Sequence, residues 1–134
     1  DVYKRQSYRG TWREANLPAV AHSWRHPPFM FRAPGGGRGI TPGETPISAD
    51  NPAVEVRALQ RAPDGSPALC ARLYNTTDRP QKAELTVHEC FTSVSEADLT
   101  GRPVRERHIK RRGRNIIGIE LPPARIITLR LETR

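Results

Sequence analysis

The chain has 134 residues, with 22 Lys and Arg against 14 Asp and Glu for a net charge of +8. That length buries one modest core, the 13 Pro and 10 Gly favour turns over helices, and no apolar run approaches the roughly 18 residues of a membrane helix. Nearly all the positive charge is Arg, the lysines being Lys4, Lys82 and Lys110; this is the bias of a GC-rich genome, so the charge alone does not imply nucleic-acid binding, and neither a membrane nor a nucleic-acid partner is expected.

Asp1-Val2-Tyr3-Lys4-Arg5-Gln6 is the translation of GATGTGTATAAGAGACAG, the transposase mosaic-end adapter of sequencing libraries. Residues 1–6 are therefore read as an adapter scar and set aside, which leaves a charge of +7 once Asp1, Lys4 and Arg5 are removed. With no initiating Met, the expectation is a fragment whose upstream part is missing. Residues 7–26 read as the end of that preceding domain. Thr11 and Glu14 have capping-box spacing, and Pro18 either kinks the helix they open or starts a second turn. Residues 27–52 read as a linker: Pro27-Pro28, Pro34-Gly35-Gly36-Gly37 and Pro42-Gly43 crowd one short stretch.

From residue 53 to 134 the pattern changes to period two. Val54, Val56 and Ala58 alternate with Glu55 and Arg57; Leu69, Ala71 and Leu73 with Cys70, Arg72 and Tyr74; Ala83, Leu85 and Val87 with Glu84, Thr86 and His88. Ile117, Ile119 and Leu121 alternate with Gly118 and Glu120, and Ile127, Leu129 and Leu131 with Thr128 and Arg130. Such runs are half-buried strands, one face packed and the other wet. Weaker strands fit at about 93–98 and 103–110. Turn chemistry separates them, as in Pro63-Asp64-Gly65-Ser66, where Pro presets φ, Asp bonds the backbone and Gly accepts φ > 0. The expected fold is all-β: an antiparallel β-sandwich of about seven strands, preceded by a short helical segment and a Pro/Gly-rich linker.

The candidates for chemistry are few. His22 and His26 stand four apart, but without an HExxH pattern and next to Pro27 they read as a surface pair; His88 and His108 read as solvated. Arg105-Glu106-Arg107-His108-Ile109-Lys110-Arg111-Arg112-Gly113-Arg114 is the one basic run, without the interleaved aromatics of a single-strand platform, and reads as an exposed charged edge. Gly35-Gly36-Gly37-Arg38-Gly39 lacks the Lys-Ser/Thr of a phosphate loop. Asn75-Thr76-Thr77 fits a glycosylation sequon but reads as a turn. Trp12, Trp24, Phe29 and Phe31 read as domain-packing aromatics, and Cys70 and Cys90 as reduced and packed thiols. No catalytic, cofactor-binding or metal residue is assigned. The compartment stays open, with a cytoplasmic one favoured.

The order of several short motifs resembles the C-terminal end of glycoside hydrolase family 38, the α-mannosidases. It runs from Gly10-Thr11-Trp12-Arg13-Glu14-Ala15 through Ala53-Val54-Glu55-Val56-Arg57-Ala58-Leu59-Gln60 and Pro63-Asp64-Gly65 to Arg72-Leu73-Tyr74-Asn75. It continues with Ala97-Asp98-Leu99-Thr100-Gly101-Arg102-Pro103 and the closing Pro123-Ala124-Arg125-Ile126-Ile127-Thr128-Leu129-Arg130-Leu131. The chain departs from the family pattern at Arg9, where a His is usual, at His26, where an Asn precedes the Pro, and at Arg125, where a Glu is frequent. The resemblance implies an accessory β-sandwich in a retaining α-mannosidase whose nucleophilic Asp and zinc ligands lie in an N-terminal catalytic domain. Its implied partners are those N-terminal domains and, through the parent enzyme, a carbohydrate substrate. A different class of function is a basic binding sandwich for acidic polymers through residues 105–114, or for carbohydrate.

Overall fold

The computed structural model describes residues 7–27, 40 and 43–133. Residues 1–6, Phe29, Phe31 and the Gly35–Gly39 run lie outside the described residues. The chain divides into two compact units, Asp1–Gly37 and Arg38–Arg134.

In the first unit the capping box forms, but it does not open the helix. The Glu14 N–H donates to Thr11 Oγ1 at 3.3 Å and the Thr11 N–H to Glu14 Oε2 at 2.6 Å. This pair closes a turn in which the Ala15 N–H reaches Thr11 O and the Leu17 N–H reaches Trp12 O. Helix α1 (Leu17–Arg25) starts after it, with Asn16 at φ 49° as N-cap and Pro18 in its first turn. A proline there forfeits no hydrogen bond, because the first helical N–H groups have no partner anyway. Of the two outcomes open to Pro18, the structure takes a new turn rather than a kink. The helix ends at Arg25 and buries none of its residues. Among the described residues no helix is long and apolar enough to cross a membrane.

The second unit is the sandwich. Its strands are β1 (Ile47–Ala49), β2 (Val54–Arg61), β3 (Leu69–Asn75), β4 (Gln81–Val87), β5 (Phe91–Ala97), β6 (Ile109–Arg111), β7 (Ile116–Leu121) and β8 (Ile126–Thr133). They form two antiparallel sheets of four, ordered β1-β4-β7-β6 and β2-β3-β8-β5. Residues directly opposite in an antiparallel pair share a face. Ala83 with Ile119 and Leu85 with Ile117 therefore line the inner face of the first sheet, and Ala71 with Leu129 and Leu73 with Ile127 that of the second. These residues make one continuous core, in which Leu73, Leu85, Leu121, Leu129 and Leu131 are fully buried. Each such leucine stabilises the fold by about 1.5–3 kcal/mol relative to exposure.

Four details differ from the sequence reading. Ile47–Ala49, assigned to the linker, is an eighth strand: Ile47 is buried and pairs with Val87. A bulge between Val56 and Ala58 leaves Arg57 without a partner across the ladder, which turns Ala58 to the outer face opposite Arg72 and Leu59 to the inner side opposite Ala71. The strand expected at 103–110 shortens to Ile109–Arg111, with only a single bridge from Pro103 to Ala97 before it. Finally, the outer face of the second sheet is not all wet. Ala62, Ala68 and Cys70 form a small buried cluster there, covered by two turns. Arg130, opposite Cys70 in register, fastens both. Its guanidinium donates to Asp64 Oδ2 at 2.8 Å, Ser66 Oγ at 2.8 Å, Gly101 O at 3.0 Å and Glu132 Oε1 at 2.6 Å. A buried guanidinium is tolerated because its N–H groups meet carboxylates and a carbonyl.

Candidate functional site

The outer face of the first sheet carries the concavity of interest, an open groove of ≈ 460 Å³. Register explains its make-up. Lys82 lies opposite Glu120, and Glu84 and Lys110 both lie opposite Gly118, one from β4 and one from β6. The absence of a side chain at Gly118 opens the middle of the face. Arg112 lies across that gap: a Cβ built on Gly118 would fall 2.8 Å from Arg112 Nε. Its guanidinium donates to Glu84 Oε1 at 2.7 Å, so Arg112 is held by an ion pair and not free to sweep solvent. Asp50, on the far side, accepts the Glu84 N–H at 2.7 Å, and Lys82 stands 3.9 Å from Glu120. The lining thus alternates cationic donors with carboxylate acceptors.

The basic run is partly organised by this sheet and partly by its neighbour. β6 is the edge strand of the first sheet, where cationic side chains discourage further strand pairing. Ile109 points into the core, Lys110 points into the groove, and the Arg111 guanidinium turns back to donate to Val94 O of the second sheet. Glu96, on β5 and only 6% exposed, fastens the segment from the other side. It accepts the Arg107 N–H at 2.8 Å, the His108 N–H at 3.0 Å and His108 Nδ1 at 2.7 Å. Burial pushes the Glu96 carboxyl up, but these donors together outweigh it and hold the group below the usual range. Glu96 and Arg111 therefore lace the edges of the two sheets together.

The other candidates are placed as follows. The His22 and His26 rings lie 4.6 Å apart between centroids, tilted at 40°, and among the described residues no three of His, Cys, Asp and Glu come together to hold a metal. His108 is not fully solvated: its side chain is 27% exposed and its Nδ1 is bound to Glu96. Nor is His88: its Nδ1 accepts the Cys90 N–H at 3.1 Å, so Nε2 carries the proton and donates to Glu44 Oε2 at 3.0 Å. Cys70 and Cys90 are free thiols. Burial raises both, the Cys70 thiol against the opposing pull of the nearby Arg130 charge. Trp12 and Trp24 are exposed, Trp24 at 71%, and the Arg13 guanidinium lies 4.4 Å over the Trp12 ring.

The sequon is a structural plug. Asn75 is 0% exposed. Its Nδ2 donates to Arg79 O at 2.7 Å, Pro122 O at 2.9 Å and Leu121 O at 3.2 Å, while its Oδ1 accepts from the Thr77 N–H and hydroxyl at 2.9 and 2.8 Å. A glycan on Nδ2 is incompatible with this packing. Sequence reasoning passed over Glu84, Glu96, Gly118 and Arg130 as site-forming residues. For Gly118 a signal existed, since glycine inside an Ile-rich strand marks close approach of another group. For Glu96 and Arg130 there was none, because a charged residue in a strand reads as solvent-facing until its cover is known.

Compared with known proteins, residues 53–129 match the family described as glycosyl hydrolases family 38 C-terminal beta sandwich domain. The matched span covers more than half of the chain and runs from β2 into β8. No curated protein matches it.

Proposed function

We propose, from the premise that the chain belongs to the glycosyl hydrolase family 38 C-terminal beta sandwich domains, that it is the accessory domain of an enzyme acting on α-mannosides. Its work is structural: the sandwich packs against and supports a catalytic domain that supplies the chemistry. Retaining glycoside hydrolysis needs a nucleophilic carboxylate and a proton-donating partner across the scissile bond, and in this reading both belong to that other domain, together with its zinc. The observation that carries the reading is the family match over the sandwich. The bonding of the charged groups supports it, since Glu84, Glu96, Asp64 and Arg130 each fasten one strand or turn to another.

Two measurements test this. The purified chain releases no nitrophenol from 4-nitrophenyl α-mannoside; turnover by the chain alone sinks the accessory role. The reading frame upstream of Ser7, recovered from the source DNA, encodes a catalytic domain with a His/Asp metal set; an unrelated sequence in frame removes the mannosidase assignment.

A further inference from the structure

The groove on the first sheet has a make-up that support alone does not require. Glycine in a strand interior weakens the strand by about 0.5–1 kcal/mol relative to alanine and marks a place where another group comes close to the backbone. At Gly118 that group is Arg112, whose Nε lies 2.8 Å from where a Cβ would stand and whose guanidinium is bound to Glu84. Around it the groove presents both kinds of hydrogen-bonding partner. Arg107 and Lys110 supply donors with no carboxylate in ion-pair range among the described residues, and Asp50 and Glu120 supply acceptors. The volume of ≈ 460 Å³ lies within the roughly 300–1,000 Å³ of small-ligand sites.

The mixture decides the ligand class. A polyanion following the basic run meets three carboxylates, Asp50, Glu84 and Glu120, inside the groove, and like charges there oppose it. An apolar ligand finds no aromatic side chain on the lining. A sugar hydroxyl donates and accepts at once, so a pair of neighbouring hydroxyls satisfies a guanidinium or ammonium and a carboxylate together. We propose that the outer face of the first sheet, around Arg112, Glu84 and Lys110, is a binding groove for a neutral oligosaccharide. This goes beyond the accessory role and stands on the lining of the groove itself. Without an aromatic platform the affinity is weak, with a Kd of about 1–10 mM.

The test is a titration of the 15N-labelled chain with α-linked mannotriose, followed by amide shifts. The groove reading expects saturable shifts on β4, β6 and β7, including Gly118 and Lys110. They weaken at least about tenfold in Arg112→Ala and in Glu84→Gln, whose side chains are exposed enough to leave the sandwich folded. Arg61→Ala, on the second sheet, binds as the parent does. An absence of shifts at about tenfold the expected Kd, shifts confined to other surfaces, or tighter binding of a heparin hexasaccharide at the same residues each overturns the proposal. None of these outcomes bears on the accessory role, which concerns the catalytic domain.

Discussion

Replacing Asn75 with alanine gives a quantitative check on how this sandwich is closed. The side chain is fully buried, its two amide N–H groups are shared among the carbonyls of Arg79, Leu121 and Pro122, and its oxygen accepts twice from Thr77. Alanine removes all of these hydrogen bonds and leaves backbone groups at the start of the β3–β4 turn and the end of β7 without those partners. Each buried group left unsatisfied costs about 1–3 kcal/mol. Some of these groups lie near enough to the surface to find water, which brings the expected loss to about 3 kcal/mol. For a domain of roughly a hundred residues that lowers the melting midpoint by about 12–15 °C. Asn75→Asp retains an oxygen for Thr77 but turns acceptors toward three carbonyls, and is destabilised at least as much. The assay is urea unfolding with fluorescence and circular dichroism read together. A loss under about 1 kcal/mol for Asn75→Ala refutes the plug, as does glycan attachment at Asn75 in the folded chain secreted from a eukaryotic host.

Other outcomes follow from the same bonding. Gly101 has φ +80°, and a Cβ there would fall 2.9 Å from Cys70 Sγ and 3.0 Å from Pro63 Cδ, whereas Gly65 at φ +79° has open space around it. Gly65→Ala is therefore expected to lose about 1 kcal/mol to backbone strain, and Gly101→Ala, with the added collision, at least twice that; equal losses in urea titrations contradict the packing of the turn on Cys70. Ala124, at φ 48° between β7 and β8, is expected to gain about 0.5–1 kcal/mol as Ala124→Gly, read as a higher denaturant midpoint. Acid sensitivity has a defined sign. Hydrogen bonds from Ser66, with Arg130 beside it, bring the Asp64 carboxyl down to about 2, while Thr100 and the Arg102 N–H lower Asp98 and the Arg107 and His108 donors lower Glu96. Groups lowered in the folded state stabilise above their unfolded values, 3.8 for Asp and 4.5 for Glu, and lose that contribution as pH falls through the folded ones. The midpoint is thus expected to hold near neutrality and fall from about pH 4.5 toward pH 2, with a shallower acid limb in Asp64→Asn.

The strands were legible where one face is apolar and the other polar over several residues, as in Ala83-Glu84-Leu85-Thr86-Val87 and Ile117-Gly118-Ile119-Glu120-Leu121. Alternation fails as a guide once an extra residue enters the ladder. At Arg57 the bulge reverses the faces of Ala58 and Leu59, and nothing in the side chains signals it. β1 was missed because three residues cannot display a period and it lies in a stretch with Pro42, Gly43, Pro46 and Pro52. β8 shows the opposite difficulty: from Ile127 to Leu131 every residue is buried, since turns from distant sequence cover the outer face that Thr128 and Arg130 occupy. The groove was illegible for the same reason. Asp50, Glu84, Arg112 and Gly118 become neighbours only through the β1-β4-β7-β6 order, and a single sequence does not state which strands lie side by side.

The proposed role of the sandwich is to support an α-mannoside-cleaving enzyme. The direct measurement is to express the full reading frame from the source DNA with and without residues 38–134, and to compare kcat/KM on 4-nitrophenyl α-mannoside and the melting midpoint of each. Activity that collapses together with a lowered midpoint when the sandwich is removed is the predicted result. Full activity and an unchanged midpoint without it contradict the supporting role.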